Sequence, residues 1–184
     1  MAKLTYLERP VYGMTEVDEL LSLSSGTARR WIDGYERRGR HYDPVVRHES
    51  TDSDLVTWGE FVETRLLAQY RDAGVPMLRM RPVVEAGTGQ YVLAPPARSF
   101  KRTVEFEDVD NLGVVTRIRP LGLKREVVID PDRRSGAPVV RAVPTDVLAE
   151  LIRAGEPIEW VAKQYDLTLD QVLDAWEYER SQAA

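Results

Sequence analysis

Apolar positions recur at helical spacing toward both ends of this chain and at extended spacing between them. Near the N-terminus Val17, Leu20 and Leu21 form an apolar stripe behind an acidic first turn (Glu16, Asp18, Glu19), with Thr15 placed to cap it. Ser22-Leu23-Ser24 reads as a turn. Ser24 is then the expected cap of a second helix in which Ala28, Trp31, Ile32 and Tyr35 fall at i, i+3, i+4 and i+7. Ser25, Thr27, Arg29 and Arg30 fall on its outward faces, the residue types that a recognition helix presents near its N-terminus. Thr57-Trp58-Gly59-Glu60 has capping-box spacing and opens a helix with Trp58, Phe61, Val62, Leu66 and Tyr70 on its apolar side. Pro76 opens a fourth, through Met77, Met80, Val83 and Val84, with a kink expected at Pro82.

Gly87-Thr88-Gly89 is expected to close this first domain and Pro95-Pro96 to break the segment after it. The period then becomes extended. Tyr91 to Leu93, Val104 to Phe106, Val114 to Ile118 and Glu126 to Ile129 read as short strands, with Asn111-Leu112-Gly113 a hairpin loop. Helical spacing returns with Thr145 as a cap and Val147, Leu148, Leu151 and Ile152 inward, stopped by Gly155. Pro157 begins a helix with Ile158, Val161, Ala162 and Tyr165 inward, and Thr168-Leu169-Asp170-Gln171 is a capping box for a last one with Leu169, Val172, Leu173 and Trp176 inward. The fold class expected is mainly α with a small β element. A winged helix-turn-helix domain spans 1–86, a short-stranded β connector 87–135, and a three-helix domain resembling a helix-turn-helix, used for dimerisation, 136–184.

Charge sharpens the picture because it is unevenly placed. The 184 residues carry net −5, yet residues 29 to 48 hold six arginines (Arg29, Arg30, Arg37, Arg38, Arg40, Arg47) against three acids, together with both histidines, His41 and His48. A local +3 attracts phosphates and supplies affinity without specifying sequence. A solvated arginine face, or an adaptor surface gripping an acidic partner, would have the same charge. The capped helix pair preceding it favours DNA. Residues 137–184 carry −5, and Asp170, Asp174 and Glu177 on the outward face of the last helix would repel phosphates, so that end is expected to meet protein. Trp160 and Trp176 read as core or as anchors of a dimer contact. Arg117, Arg119, Lys124 and Arg125 read as solvated charge on edge strands.

The same residues argue against an enzyme. Both histidines lie in the basic stretch, Asp130-Pro131-Asp132 reads as a turn, and Gly87-Thr88-Gly89 lacks the spacing of a phosphate-binding loop. Without cysteine there is no disulfide framework, thiolate metal site or cysteine nucleophile, so neither metal nor cofactor is expected and an intracellular location is favoured. No apolar run approaches the ~20 residues of a membrane span and the N-terminus lacks a signal peptide's apolar core; the protein is expected to be cytoplasmic.

Residues 1–86 resemble the winged helix-turn-helix of the MerR class, through Tyr12-Gly13-Met14-Thr15-Glu16-Val17, Thr27-Ala28-Arg29-Arg30-Trp31 and Arg71-Asp72-Ala73-Gly74-Val75. The resemblance puts Ser25, Thr27, Arg29, Arg30 and Tyr35 on the DNA side of the second helix and Arg40 and Arg47 in the wing. The dimerising coiled coil of that class is absent, since Gly87, Gly89, Pro95 and Pro96 forbid one. The C-terminal part is similar to a three-helix domain of bacterial antitoxins, through Gly136-Ala137-Pro138-Val139-Val140-Arg141, Ala154-Gly155-Glu156-Pro157, residues 161–168 and Ala175-Trp176-Glu177-Tyr178; Ala142-Val143-Pro144 replaces the Gly-Thr-Arg loop usual there.

Together the two ends resemble a VapB-type antitoxin of a type II toxin–antitoxin module. That implies a homodimeric autorepressor on double-stranded operator DNA that neutralises a PIN-domain, magnesium-dependent ribonuclease toxin; a stand-alone winged-helix regulator is the alternative. Arg133, Arg134 and Arg180 are candidates for the toxin contact, because a planar guanidinium suits a carboxylate cluster; otherwise they are solvated charge.

Overall fold

A computed structural model describes residues 4–75, 95–109 and 112–182, and the chain divides into two compact units, residues 1–100 and 101–184. The first contains α1 (Leu4–Leu7), β1 (Pro10–Gly13), α2 (Met14–Leu20), α3 (Thr27–Ile32), β2 (Tyr35–Arg37), β3 (Arg40–Tyr42), β4 (Leu55–Thr57) and α4 (Trp58–Asp72). β1 and β4 pair antiparallel with an irregularity between Pro10 and Tyr12, and β2 pairs with β3 as a hairpin. Tyr12, Val17, Ala28, Ile32, Val56, Trp58 and Phe61 make the core, with the Tyr12 and Phe61 rings 4.5 Å apart. Each of α2, α3 and the short strands is too small to persist alone and holds its shape through this shared burial.

Three local expectations shift. α2 starts at Met14: the Gly13 amide donates to the Glu16 carboxylate (3.3 Å), and Thr15 is an exposed first-turn residue instead of the cap. α3 starts after Gly26, whose φ of +75° suits glycine, and Ser24 serves only as the backbone acceptor for Thr27 N–H (3.0 Å). It ends at Ile32, so Tyr35 is in β2 and not on a helix. The Thr57–Glu60 box forms as expected, with Thr57 N–H to Glu60 at 2.8 Å and Glu60 N–H to Thr57 at 3.3 Å. The expected helix over 76–84, its kink at Pro82, the 86/87 boundary and the strand at 91–93 lie outside the described residues. Pro95 and Pro96 do not break the chain; they open helix α5 (Pro95–Lys101), where a first turn tolerates proline.

In the second unit β5 (Val104–Val109) and β6 (Leu112–Ile118) form a hairpin. Ile118 and Ile129 exchange both backbone hydrogen bonds, 2.9 and 2.8 Å. β7 (Val127–Val128), β8 (Val139–Val140) and β9 (Val143–Pro144) form a sheet in that order, packed by α6 (Thr145–Arg153), α7 (Ile158–Gln164) and α8 (Leu169–Gln182). Val127, Val140, Leu148, Val161, Val172, Ala175 and Tyr178 share one core. Val127 pairs with Val140 across position 135, so the strands and the three helices are one body where a separate connector was expected.

Here too some side chains turn the other way. Thr145 is the first helical residue, buried, its hydroxyl shared between the Pro138 carbonyl and Glu179. The Thr168–Gln171 box forms, at 3.0 and 3.2 Å. Leu169, Leu173 and Trp160 are exposed, while Trp176 is half-buried with the Arg153 guanidinium 5.7 Å from its ring. Asp174 is buried, not outward: it accepts from Arg125 Nε (2.6 Å) and Glu126 N–H (2.8 Å), and Arg125 also meets Glu177. Arg117 pairs with Asp130 (2.9 Å) and Arg119 with Glu105, so Arg117, Arg119 and Arg125 are internal ties rather than loose edge charge. Among the described residues no helix is long and apolar enough to cross a membrane.

Candidate nucleic-acid interface

The interface starts from a buried acid. Asp18, on α2, is 5 % exposed and accepts the backbone N–H groups of Gly26 (2.6 Å) and Ala28 (2.7 Å). Amides at a helix start lack intrahelical acceptors, and a carboxylate there both satisfies them and matches the positive end of the helix dipole. Asp18 thereby fixes the N-terminus of α3 against α2. The C-terminus of α3 is held as well: Val45 and Val46 N–H donate to the Trp31 carbonyl (2.8 and 3.0 Å) and Arg47 N–H to that of Ile32 (3.2 Å).

Between these locks α3 buries Thr27, Ala28, Trp31 and Ile32 and exposes Arg29 and Arg30, with Ser25 exposed in the preceding turn. Arg30 lies back over the helix start, donating to the Gly26 carbonyl (3.1 Å) and the Thr27 hydroxyl (2.9 Å). Arg29 pairs with Asp54, both side chains open to solvent. Thr27 was expected outward. It is 6 % exposed, so it supports Arg30 from beneath the surface.

The β2–β3 hairpin carries the remaining arginines. Arg38 and Gly39, with φ of +55° and +72°, make its two-residue turn, and Arg37, Arg38 and Arg40 are all exposed there. Tyr35 and Tyr42 stack across the strands with centroids 4.6 Å apart, and the Arg40 guanidinium lies 5.4 Å from the Tyr42 ring. Tyr35 therefore stiffens the hairpin base. At that base Gly34 has φ +79°, and a Cβ there would meet the Tyr42 carbonyl oxygen at 2.6 Å. Only glycine fits that junction.

Arg47 leaves the expected DNA-binding set. Its side chain is 8 % exposed and its donors are engaged by Asp33 (2.6 Å), Glu60 (2.8 Å), Thr51 (2.7 Å) and the carbonyls of Ser53 (3.2 Å) and Leu55 (2.6 Å). Asp33 is 4 % exposed. Burial pushes its carboxyl up, but the Thr51 amide, the Arg47 guanidinium and the Ser50 hydroxyl outweigh that and hold it at about 2. Removing Arg47 and Asp33 from the surface tally leaves the local charge at +3, since one of each sign is withdrawn. Asp18 and Asp33 are the residues that sequence reasoning missed. Asp33-Gly34 could have signalled the helix end; nothing in the sequence marks Asp18 as a clamp.

The three arginines expected at a toxin contact lie in the second unit. Arg133 is exposed and 3.4 Å from Asp130; Arg134 is exposed in a tight turn, where it, Ser135 and Gly136 have φ of +49°, +54° and +80°. Arg180 borders a shallow groove along α8 with Leu173, Trp176 and Lys124. No group of acids and histidines suited to a metal occurs among the described residues.

Comparison with known proteins places this geometry. Residues 10–84 match the family described as "Putative DNA-binding HTH domain", and residues 127–178 match "Protein of unknown function (DUF433)". The chain is 35% identical to the uncharacterized protein Rv2308 of Mycobacterium tuberculosis, over 97% of this chain and 93% of that protein. It belongs to the Rv2308 family. Similarity extends from the Rv2308 family to a protein of the same organism described as "Putative antitoxin VapB45", 27% identical over 90% of this chain and 92% of that one. The crystal structure of Rv2018 from M. tuberculosis shares the fold, with a TM-score of 0.68, 24% identity, and coverage of 92% and 99% of the two chains. In this Rv2308-family chain, then, α2 and α3 lie within the stretch that matches a putative helix-turn-helix domain.

Proposed function

We propose that this chain is a DNA-binding antitoxin that represses its own operon and neutralises a PIN-domain ribonuclease toxin encoded beside it. The observation that carries the DNA half is the placement of five exposed arginines, Arg29 and Arg30 on α3 and Arg37, Arg38 and Arg40 on the hairpin, on a helix-turn-helix unit whose α3 is locked at both ends. α3 enters the major groove and the hairpin acts as a wing along the phosphates, in the manner of a MerR-like winged helix-turn-helix. Ser25 at the head of α3 adds a hydroxyl donor.

Full-length similarity to VapB45 supports the antitoxin half. The second unit, acidic over 137–184 and with Trp160, Leu169 and Leu173 exposed, carries the homodimer contact. Arg133, Arg134 and Arg180 are offered to the carboxylates of the toxin's magnesium site, where a planar guanidinium competes for the same oxygens. The protein itself then needs no catalytic group, metal or cofactor.

The direct test is coexpression with the product of the adjacent gene, followed by copurification, a ribonuclease assay with and without this chain, and electrophoretic titration on DNA upstream of its coding sequence. Copurification with suppressed cleavage and upstream binding is the expected result. A neighbour that is not bound, or cleaves undiminished, removes the antitoxin half and leaves a winged-helix regulator.

A further inference from the structure

The two arginines exposed on α3 are restrained by different chemistry. Arg30 is tied by neutral oxygens, the Gly26 carbonyl and the Thr27 hydroxyl, so its charge remains uncompensated. Arg29 is tied by a full negative charge, the Asp54 carboxylate, although both side chains are exposed. An exposed ion pair contributes little stability, so folding alone gives little reason for it.

The backbone at Asp54 is also held firmly. Its carbonyl accepts the Met14 amide at the start of α2 (3.1 Å), and the carbonyls on either side of it, those of Ser53 and Leu55, are gripped by the buried Arg47 guanidinium. The backbone carrying the carboxylate is therefore clamped to the helix-turn-helix by three hydrogen bonds. A carboxylate carried on that clamped backbone and paired with Arg29 opposes the approach of a phosphate, because like charges a few ångströms apart repel. It opposes a base edge, which carries no net charge, far less than a phosphate, and it removes rotamer freedom that Arg29 would otherwise lose on binding.

From this we infer that Asp54 is a specificity-determining positioning residue: it holds Arg29 for a guanine edge in the major groove and makes phosphate a poor substitute. The inference rests on the DNA-binding reading above. Arg30 and the hairpin arginines, with no carboxylate at their guanidinium groups in the described hydrogen bonds and ion pairs, supply the sequence-independent attraction. Asp54 thus acts through Arg29 and itself contacts no base.

The test uses the full chain. Selection from a randomised duplex library with the wild-type protein defines a preferred site; affinities for that duplex and for a shuffled one of the same composition are then measured across a salt series. Asp54→Ala is expected to bind the shuffled duplex more tightly, with a salt slope steeper by about one, while the preference for the selected site falls about tenfold. In an Arg29→Ala background the same substitution leaves the preference where Arg29→Ala alone put it, a result that a merely structural role for Asp54 would not give. The Asp54 side chain is 78% exposed, so the variant folds, and circular dichroism checks this. If Asp54→Ala shifts both affinities by one factor and leaves the ratio unchanged, Asp54 is only a repelling charge and the inference is overturned. A wild-type protein that selects no site and binds no duplex overturns the underlying DNA reading instead.

Discussion

Asp33 at the end of α3 and Arg47, fourteen positions later, meet through Oδ1 and Nη1 at 2.6 Å inside the first unit, with almost no solvent reaching either side chain. The pair joins α3, the loop after β3, β4 and α4 at one point, because Arg47 simultaneously reaches Glu60 and the Leu55 carbonyl. Loss of Arg47 leaves Asp33 a buried carboxylate with no cation beside it, held only by the Ser50 and Thr51 hydroxyls and the Thr51 and Asp52 amides, whereas loss of Asp33 leaves Arg47 its Glu60 partner.

Arg47→Ala is accordingly expected to destabilise the protein by about 3 kcal/mol or more, with Arg47→Lys recovering little, since a point charge cannot serve five acceptors spread around a planar fork. Urea unfolding followed by far-ultraviolet circular dichroism measures it. A loss below about 1 kcal/mol would show that the pair is dispensable.

Acid should reveal the same pair. The Asp33 carboxyl is held at about 2 against an ordinary 3.8, so its contribution, about 2 kcal/mol, is complete above pH 4 and is lost as pH falls toward 2. Unfolding free energy measured from pH 5 to pH 2 should fall more steeply in wild type than in Asp33→Asn, which starts less stable but lacks this titration. Parallel profiles would contradict the assignment.

Two glycines of the first unit separate backbone strain from steric exclusion. Gly26→Ala meets open space and bears only the positive-φ penalty, about 1 kcal/mol, whereas Gly34→Ala adds a backbone clash at 2.6 Å and should lose at least twice as much. Thermal midpoints of the two variants rank them, and the reverse order would show that the junction after α3 accommodates a side chain at position 34.

Asp18→Ala leaves the Gly26 and Ala28 amides without their carboxylate. An expected loss of about 1–3 kcal/mol accompanies weaker DNA binding, because α3 loses its N-terminal lock. Amide hydrogen exchange should show faster opening of residues 26–32 than of α4, and uniform acceleration across the unit would count against a local lock.

On the hairpin, Arg37→Ala, Arg38→Ala and Arg40→Ala should each lower the salt slope of duplex binding by about one while leaving the unfolding free energy within about 0.5 kcal/mol of wild type. Fluorescence anisotropy at several salt concentrations gives the slope. An unaltered slope in all three would remove the hairpin from the interface.

What could be read in the sequence was what is settled within a turn or two. The Thr57–Glu60 and Thr168–Gln171 boxes formed because both partners belong to one helix start. Charges whose partners lie far along the chain were misplaced. Asp174 looked like an outward acid, yet its partner Arg125 is 49 residues away; Arg47 looked like a wing arginine, yet it answers to Asp33 and Glu60. Tyr35 was drawn into α3 by a 3.6-residue period that does not register a positive-φ glycine at 34. β1 and β4 were missed because three or four residues carry too little alternation to announce a strand.

α3 has only six residues, fewer than a helix requires to nucleate unaided. Its shape is imposed from outside, by Asp18 at one end and the 45–47 backbone at the other, and not by the helix-forming tendency of its own exposed positions. Substitution at the exposed positions Ser25, Arg29 or Arg30 consequently alters the surface that the helix presents while leaving whether it exists almost untouched. The face of α3 is therefore free to drift among relatives at little cost in foldedness, and on the DNA-binding reading proposed above two copies of the gene can diverge in target while keeping one scaffold.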